Sequence, residues 1–314
     1  MILLEEALMA WVLNEYPYSV ITKEKLSEQI YLFYLRKEYN GEKIGTIRKA
    51  QASPTEYKNS IGKLERSGVI VSIGEVSRSD LYGADYLNNS YIISGKREYS
   101  AQETVCTIYP YAYLSKISAM EWYGITDKIP KVIRITSCSP TLWRTKSLAD
   151  LRIENSPFLE PMHFIPKYPK NANISGKEII VSTETDYIEP VTVRNSPVKV
   201  SSIGKTFIDM LRAPSECGGI DHVIDTYIEY GKKYSSAIIK SLKDHGRKID
   251  IARTGFALQK ISGVDHPQLT EWQLESQRSR GSSKILVPGE PFSSIFDADW
   301  SLSLNAEIAQ QYGN

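Results

Sequence analysis

The sequence predicts an α+β protein with a small N-terminal domain and a larger mixed α/β domain. Residues 1–98 contain three amphipathic helical stretches followed by two short strand-like runs, and residues 99–314 alternate between strand-like and helical runs. The chain has 314 residues, of which 41% are apolar, so each part can form its own core. We therefore expect domains at 1–98 and 99–314.

Apolar periodicity predicts the first two helices. Residues 2–15 place apolar side chains at helical spacing, and Thr22 opens a second helix that carries Leu26 and Ile30 on its apolar side. Asn40-Gly41 predicts a break after this second helix, because both residue types tolerate the backbone conformations of turns.

The third helix has the strongest start signal of the chain. Ser53 is suited to the N-cap, Pro54 to the first helical position, and Glu56 completes a capping box. Gly68 predicts the end of this helix. The stripe that we expect to face the core consists of Tyr57, Ile61 and Leu64.

Two strands complete the N-terminal domain. The β-branched run 69–71 and the run 91–93 predict strands, and the polar residues 74–90 between them predict a loop. Three helices followed by a hairpin are typical of a winged helix-turn-helix, which we predict for this domain.

The third helix carries DNA-compatible groups on the side opposite its apolar stripe. Amide, ammonium and guanidinium groups suit base edges and phosphates. The chain has 38 basic and 37 acidic residues, so its net charge is close to zero and any DNA-binding surface must be a local patch of positive charge. A solvated helix surface or a protein-interaction module would show the same pattern. Gly62, in the middle of this side, indicates either close approach to DNA or local packing. The predicted DNA-binding residues are Arg48, Lys49, Thr55, Lys58, Asn59, Lys63, Arg66 and Arg78.

The second domain reads as a mixture of strands and helices. A helix is predicted from Tyr111 to Tyr123, with Gly124 as its stop. Strands are predicted at 131–137 and 177–183, at two short runs on either side of Asn195, and at 283–289. Helices are predicted at 203–213, 219–230, 234–244, 249–260 and 270–279.

Gly204-Lys205-Thr206 is similar to the end of a phosphate-binding loop, but the rest of the loop is missing. That motif needs a further glycine five residues before Gly204, where this chain has Lys199. We predict instead a helix N-terminus capped by Ser201 or Ser202.

Other catalytic and metal-binding patterns are also missing from the sequence. The three cysteines are far apart, and the histidines show no zinc-ligand spacing. Three Asp-His neighbours occur without a nucleophile elbow, so we interpret them as turn and helix-end residues. Asp297 and Asp299 are interpreted as exposed loop charges. We therefore expect no enzyme activity, no cofactor and no metal.

The N-terminal run carries Glu5 and Glu6, which argues against a signal peptide. No run of 18 apolar residues predicts a membrane span. Three scattered cysteines suit a reducing compartment. We expect a cytoplasmic protein that does not enter a membrane.

Four short motifs occur in the order found in the AbiEi-type antitoxins, which the chain resembles over nearly its whole length. The chain departs from that family at Ile203-Gly204-Lys205, where Pro-Glu-Arg is frequent, and at Gln259, where Glu is frequent. The matching residues are Tyr113-Leu114-Ser115 with Ser118-Ala119; Gly124-Ile125-Thr126 with Ile129-Pro130; Thr206-Phe207-Ile208-Asp209 with Pro214 and Gly218-Gly219; and Arg253-Thr254-Gly255-Phe256.

This resemblance implies an antitoxin that represses transcription of its own toxin–antitoxin operon in phage defence. It implies that the winged helix binds double-stranded DNA at inverted repeats of the promoter. It also implies that a mixed α/β antitoxin domain counteracts a nucleotidyltransferase-type toxin. An alternative is a DNA-binding regulator whose second domain senses a ligand or binds another defence protein, and an enzyme of unrecognised chemistry is a further one.

Three charged residues of the second domain are candidates for the antitoxin function, namely Lys205, Asp209 and Arg253. They stand in otherwise apolar helical segments, so each charge needs a partner or a function. The competing interpretation is that Asp209 and Arg253 form an ion pair that holds two helices together.

Overall fold

The computed structural model describes residues 1–45, 47–73, 89–153, 164–174, 176–278 and 284–313. Helices and several β-sheets together give the α+β class that the sequence predicts. The chain divides into two compact units. The first consists of Met1–Tyr113, Ile135–Ile188 and Thr192–Lys199, and the second of Leu114–Arg134, Glu189–Val191 and Val200–Asn314. The domain boundary predicted at residue 98 is a statement about which fragments fold independently. The division into compact units does not test it, so it stays a prediction.

The first unit begins with the three predicted helices. Helix α1 is Leu4–Ala10 and continues as a π-helical turn, Trp11–Glu15. Helix α2 is Lys23–Arg36, and the Thr22 hydroxyl accepts a hydrogen bond from the Lys25 backbone N–H at its start. Helix α3 is Pro54–Arg66.

The capping box predicted for α3 is present. The Ser53 side chain accepts from the Glu56 backbone N–H, and a Glu56 carboxylate oxygen accepts from the Ser53 backbone N–H at 2.6 Å. Caps of this kind stabilise a helix by about 1 kcal/mol. Gly68 follows the helix with a φ of 73°, as the predicted stop requires.

A three-stranded antiparallel sheet packs with these helices. Its strands are β1 (Val20–Thr22), β4 (Ile70–Ser72) and β5 (Ser90–Ile93), in the order β1-β5-β4. Ile92 lies at the centre, paired with Val20 on one side and Val71 on the other. The two strands predicted here are confirmed. The predicted loop at 74–90 falls almost entirely outside the described residues, and Arg78 lies outside them.

An extra hairpin occupies part of the connection between α2 and α3. Strands β2 (Glu38–Tyr39) and β3 (Glu42–Lys43) pair around Asn40-Gly41, whose φ angles are 50° and 78°. Turns with two positive φ values suit hairpins, so the predicted break is a hairpin turn. The connection spans 37–53, longer than the three or four residues of a helix-turn-helix turn.

The first unit also contains helices that the sequence analysis did not predict. Helix α4 is Ala101–Ile108, and its capping box joins Ser100 and Glu103. Helix α6 is Pro140–Ile153. The capping box at Ser100 could have revealed α4 within a segment that otherwise reads as polar.

A second sheet has six strands: β6 (Ala112–Leu114), β7 (Val132–Ser137), β8 (Ala172–Ile174), β9 (Lys177–Thr183), β10 (Val191–Thr192) and β11 (Lys199–Val200). Their order in the sheet is β10-β11-β6-β7-β9-β8. Strands β6 and β11 are parallel, and β8 and β9 are antiparallel. The predicted strands at 131–137 and 177–183 are confirmed as β7 and β9.

The helix predicted from Tyr111 is wrong over its first residues. Ala112–Leu114 form β6 and are buried, and the helix, α5, starts only at Lys116 and ends at Tyr123. Strand pairing overrides the local helical pattern here. Gly124 ends α5 with a φ of 63°, as predicted.

The second unit is mainly helical. Its helices are α5 (Lys116–Tyr123), α7 (Ile203–Arg212), a 3₁₀ turn (Pro214–Cys217), α8 (Ile220–His245), α9 (Lys248–Phe256) with a π-helical turn (Ala257–Ile261), α10 (Pro267–Arg278) and α11 (Glu307–Gln310). The two helices predicted at 219–230 and 234–244 are one helix, α8, because Tyr227 and Ile238 on either side of the expected break pack into the same core.

The predicted strand at 283–289 is also wrong where it can be compared. Over 284–289 only a single bridge forms, between Ile285 and Ser303. The strands near this bridge are β12 (Phe296–Asp297) and β13 (Leu302–Ser303), which are antiparallel. Within the described residues, no helix combines the length and apolarity that crossing a bilayer requires.

Candidate functional site

Helix α3 separates its buried and exposed residues as the sequence predicts. Tyr57, Ser60, Ile61 and Leu64 are buried. The five predicted DNA-binding residues of the helix are all exposed, and we call this surface the α3 face: Thr55, Lys58, Asn59, Lys63 and Arg66. Arg48 and Lys49, which precede the helix, are exposed as well.

Two cations of this region are paired with carboxylates. Lys63 forms an ion pair with Glu5 of α1, and Lys49 Nζ lies 3.3 Å from Glu56 Oε1. The hydrogen bonds that Glu56 accepts from Ser53 lower the pKa of Glu56 to about 2, so this carboxylate stays charged. Exposed pairs of this kind contribute about 0–1 kcal/mol, so a phosphate can replace the carboxylate.

The other cations of the region are not paired in this way. Within the described part of the chain, Arg48, Lys58 and Arg66 form no ion pair. Their charges therefore remain directed at solvent and at any anion that reaches this surface.

Gly62 lies in the middle of the α3 face. Among the described residues, a Cβ atom built on Gly62 would meet a single atom within 4 Å, Arg66 Nη1 at 3.4 Å, at the far end of a flexible side chain. Local packing therefore does not explain a residue that costs a helix about 1 kcal/mol relative to alanine. Of the two interpretations of Gly62, close approach of an external partner is the one that this geometry favours.

The three candidates of the second unit are buried. Lys205 is 3% exposed, Asp209 4% and Arg253 8%. Lys205 Nζ lies 2.7 Å from Asp209 Oδ2, and Arg212 Nη1 lies 3.5 Å from Asp209 Oδ1. Arg253 Nε donates to the Ile285 carbonyl at 2.8 Å. The expected ion pair between Asp209 and Arg253 is therefore wrong, since Asp209 pairs within its own helix.

Asp250 extends this network and was missed by the sequence analysis. Arg212 donates to both carboxylate oxygens of Asp250, at 3.0 and 2.7 Å, and Arg247 Nε donates at 2.9 Å. Burial alone would raise the pKa of Asp250, but the hydrogen bonds from the two arginines hold it well below its usual value. We call Lys205, Asp209, Arg212, Arg247 and Asp250 the ionic network.

The Gly-Lys-Thr sequence has a packing role. Helix α7 begins at Ile203, and the Ser202 hydroxyl accepts from the Lys205 backbone N–H, which confirms the predicted cap. A Cβ on Gly204 would overlap with the Ala237 carbonyl of α8. Gly204 is therefore required for the close approach of two helices.

The glycine of Arg253-Thr254-Gly255-Phe256 also allows close packing. A Cβ on Gly255 would overlap with the indole ring of Trp300, which is fully buried. Gly255 thus makes room for a large core side chain, and at this position the motif that carries the family resemblance serves the core of the second unit.

We expected Asp297 and Asp299, near the C-terminus, to be exposed loop charges, and the structure shows that they are not. Asp297 is 0% exposed and accepts from the Trp300 backbone N–H, and burial raises its pKa. Asp299 forms an ion pair with Lys260 at 2.6 Å. Among the described residues, no group of three or more His, Cys, Asp or Glu is placed to hold a metal ion.

These features define an α+β protein in which one unit presents a cationic helix face and the other contains a buried ionic network. A solved structure, that of the RV2827C protein from Mycobacterium tuberculosis, is similar with a TM-score of 0.51, over 97% of this chain and 92% of that chain. At 10% sequence identity, this similarity shows the fold alone. No protein-family model and no curated protein matches the chain.

Proposed function

We propose that this protein is a DNA-binding autorepressor and antitoxin that counteracts a nucleotidyltransferase-type toxin and has no catalytic activity of its own. The observation that carries the DNA-binding part is the α3 face. Its amide, guanidinium and ammonium groups stand exposed on one side of a helix whose other side is anchored in the core.

The α3 face suits double-stranded DNA because it combines two kinds of contact. Lys58 and Lys63 flank the surface and, together with Arg66, suit phosphates, whereas the Asn59 amide suits a base edge. Gly62 between them lets the helix backbone come close to the groove. In this proposal, α3 is the recognition helix of a winged helix-turn-helix with a long connection before it.

Binding to the protein's own promoter tests this part, with fluorescence anisotropy measured over a range of salt concentrations. Lys63→Ala and Arg66→Ala should each weaken binding and reduce the slope of log K against log salt by about 0.9, one phosphate's worth. Asn59→Ala should relax the base preference at one position. Lys240→Ala is the control, since this exposed lysine of α8 pairs with Asp244. Unchanged binding by the triple variant of Asn59, Lys63 and Arg66 would refute the proposal.

The antitoxin part is supported by the family motifs, which lie almost wholly in the second unit. Lys205, Asp209 and Arg253 are too buried to meet a toxin directly, so we propose that they maintain the shape of a neutralising surface. We expect the toxin gene to lie beside this one, and we expect the two products to oppose each other in cells.

Co-expression from separate inducible promoters tests the antitoxin part without the promoter's influence. Cells producing the neighbouring nucleotidyltransferase should grow only when this protein is present, and the DNA-binding triple variant should still rescue them.

Asp209→Asn should destabilise the fold by about 3 kcal/mol, because Lys205 loses its buried partner. The ability of the Asp209→Asn variant to rescue growth should then decrease in proportion to its folded fraction. Loss of rescue by a variant that melts like the parent would instead indicate a direct role, and no rescue by the parent would refute the proposal.

A further inference from the structure

A cavity of about 450 Å³ opens within the first unit, along the N-terminal half of α2. This volume lies within the range of about 300–1,000 Å³ that is usual for small-molecule sites. The DNA proposal makes no use of this cavity, which is lined by residues from α2, α4 and α6 and from the strands and loops near them.

One carboxylate of the cavity wall, that of Glu24, forms no ion pair within the described part of the chain. Glu24 is half-buried. Burial raises the pKa of this carboxyl, although Lys167 and Lys23 lie near enough to oppose the effect. A carboxylate that is partly removed from water and forms no ion pair is stabilised by a cation.

The other charged groups of the wall have an ion-pair or hydrogen-bond partner. Glu28 pairs with Lys25 at 2.9 Å, and the Asp150 carboxylate accepts from the Tyr111 hydroxyl at 2.6 Å. Lys199 donates to the Pro110 carbonyl. The described residues of the wall thus include three carboxylates and two ammonium groups, an excess of one negative charge.

Aromatic rings line the same cavity. The rings of Tyr16 and Tyr18 meet edge-on with their centroids 5.7 Å apart, and Phe164 contributes a third ring. Phe164 also meets Tyr57 of α3 edge-on, at a centroid distance of 6.1 Å. The faces of aromatic rings attract cations, most strongly where water is displaced.

We infer that this cavity binds a small organic cation, an amine or quaternary ammonium compound with an apolar or aromatic body. Glu24 supplies the counter-ion, and Tyr16, Tyr18 and Phe164 supply the aromatic surface. The inference does not depend on DNA or toxin binding.

Isothermal titration of the full-length protein with benzyltrimethylammonium tests the inference. We expect saturable 1:1 binding, with little binding of benzyl alcohol and benzoate, which share the aromatic body but are neutral and anionic. Glu24→Gln should weaken the affinity by about tenfold or more, since the Coulombic attraction between the carboxylate and the quaternary ammonium group is lost. Tyr18→Leu, which keeps every charge, should weaken it as well. Glu275→Gln is the matched control, because Glu275 is exposed on α10 in the second unit.

Three results would overturn the inference. The first is no saturable binding of benzyltrimethylammonium by the parent protein, and the second is equal binding of the neutral or anionic probe. The third is parent-like affinity in Glu24→Gln with circular dichroism showing an intact fold. If Glu24→Gln fails to fold, Tyr18→Leu decides, and parent-like affinity in that variant overturns the aromatic site.

Discussion

Gly62 gives a prediction in which stability and function move in opposite directions. The Gly62→Ala variant should be more stable by up to about 1 kcal/mol, because alanine favours helix and meets only the mobile end of Arg66. Promoter binding should nevertheless weaken, because the added methyl group stands where the backbone must approach DNA. Urea unfolding and anisotropy measure the two effects. Parent-like DNA affinity in the stabilised variant would remove Gly62 from the interface.

At the scale of elements, local signals predicted some features well and tertiary contacts decided others. The capping box at Ser53 and the stripe of Tyr57, Ile61 and Leu64 are local signals, and they correctly predicted where α3 begins and which side of it is buried. The same reasoning placed Ala112–Leu114 in a helix, because strand pairing depends on partners far along the chain.

The candidate sites also differ in whether local sequence signals can predict them. The exposure of the α3 face could be predicted, because helical periodicity assigns each residue a side. The ionic network could not, since Arg212 and Asp250 belong to different helices and nothing in the sequence links them. The cavity in the first unit likewise combines residues from distant segments, and no motif marks it.

Asp250 should make the free energy of unfolding of the protein depend on pH in the acidic range. Its pKa is depressed in the folded state, so its contribution is complete above the unfolded value of about 3.9 and is lost as pH falls toward the folded value. At pH 7, Asp250→Asn should lower the free energy of unfolding by about 2–3 kcal/mol, less than for a fully buried pair because Arg247 is 64% exposed.

Below pH 4 the difference between Asp250→Asn and the parent should begin to narrow, because the Asp250 carboxyl of the unfolded parent then takes up a proton while that of the folded parent stays charged. Urea unfolding at pH 7 and at pH 3.5 measures both values. Asp244→Asn is the control, since Asp244 pairs with Lys240 on the surface and should change stability little. A constant difference across this range would mean that the charge of Asp250 is not what stabilises the network.

For the whole molecule, charge balance limits how DNA can be bound. With 38 basic and 37 acidic residues, the protein has no global field, so counter-ion release must come from a local cluster of cations, which in our proposal is the one around α3. The six predicted DNA-binding cations allow a salt slope of no more than about 5–6 for one copy: Arg48, Lys49, Lys58, Lys63, Arg66 and Arg78. A slope near twice that value would show two copies on an inverted repeat, and a steeper one would require cations elsewhere in the chain.

The contact between Phe164 and Tyr57 joins the wall of the cavity to the helix proposed to read DNA. If a bound cation displaces Phe164, thermodynamic linkage requires that promoter DNA and the cation change each other's affinity by the same factor. Saturating benzyltrimethylammonium should therefore shift the dissociation constant of the promoter, and promoter DNA should shift that of the cation equally. Phe164→Leu should abolish both shifts together. Promoter DNA would then act as an allosteric effector of the small-molecule site, through the contact between Phe164 and Tyr57.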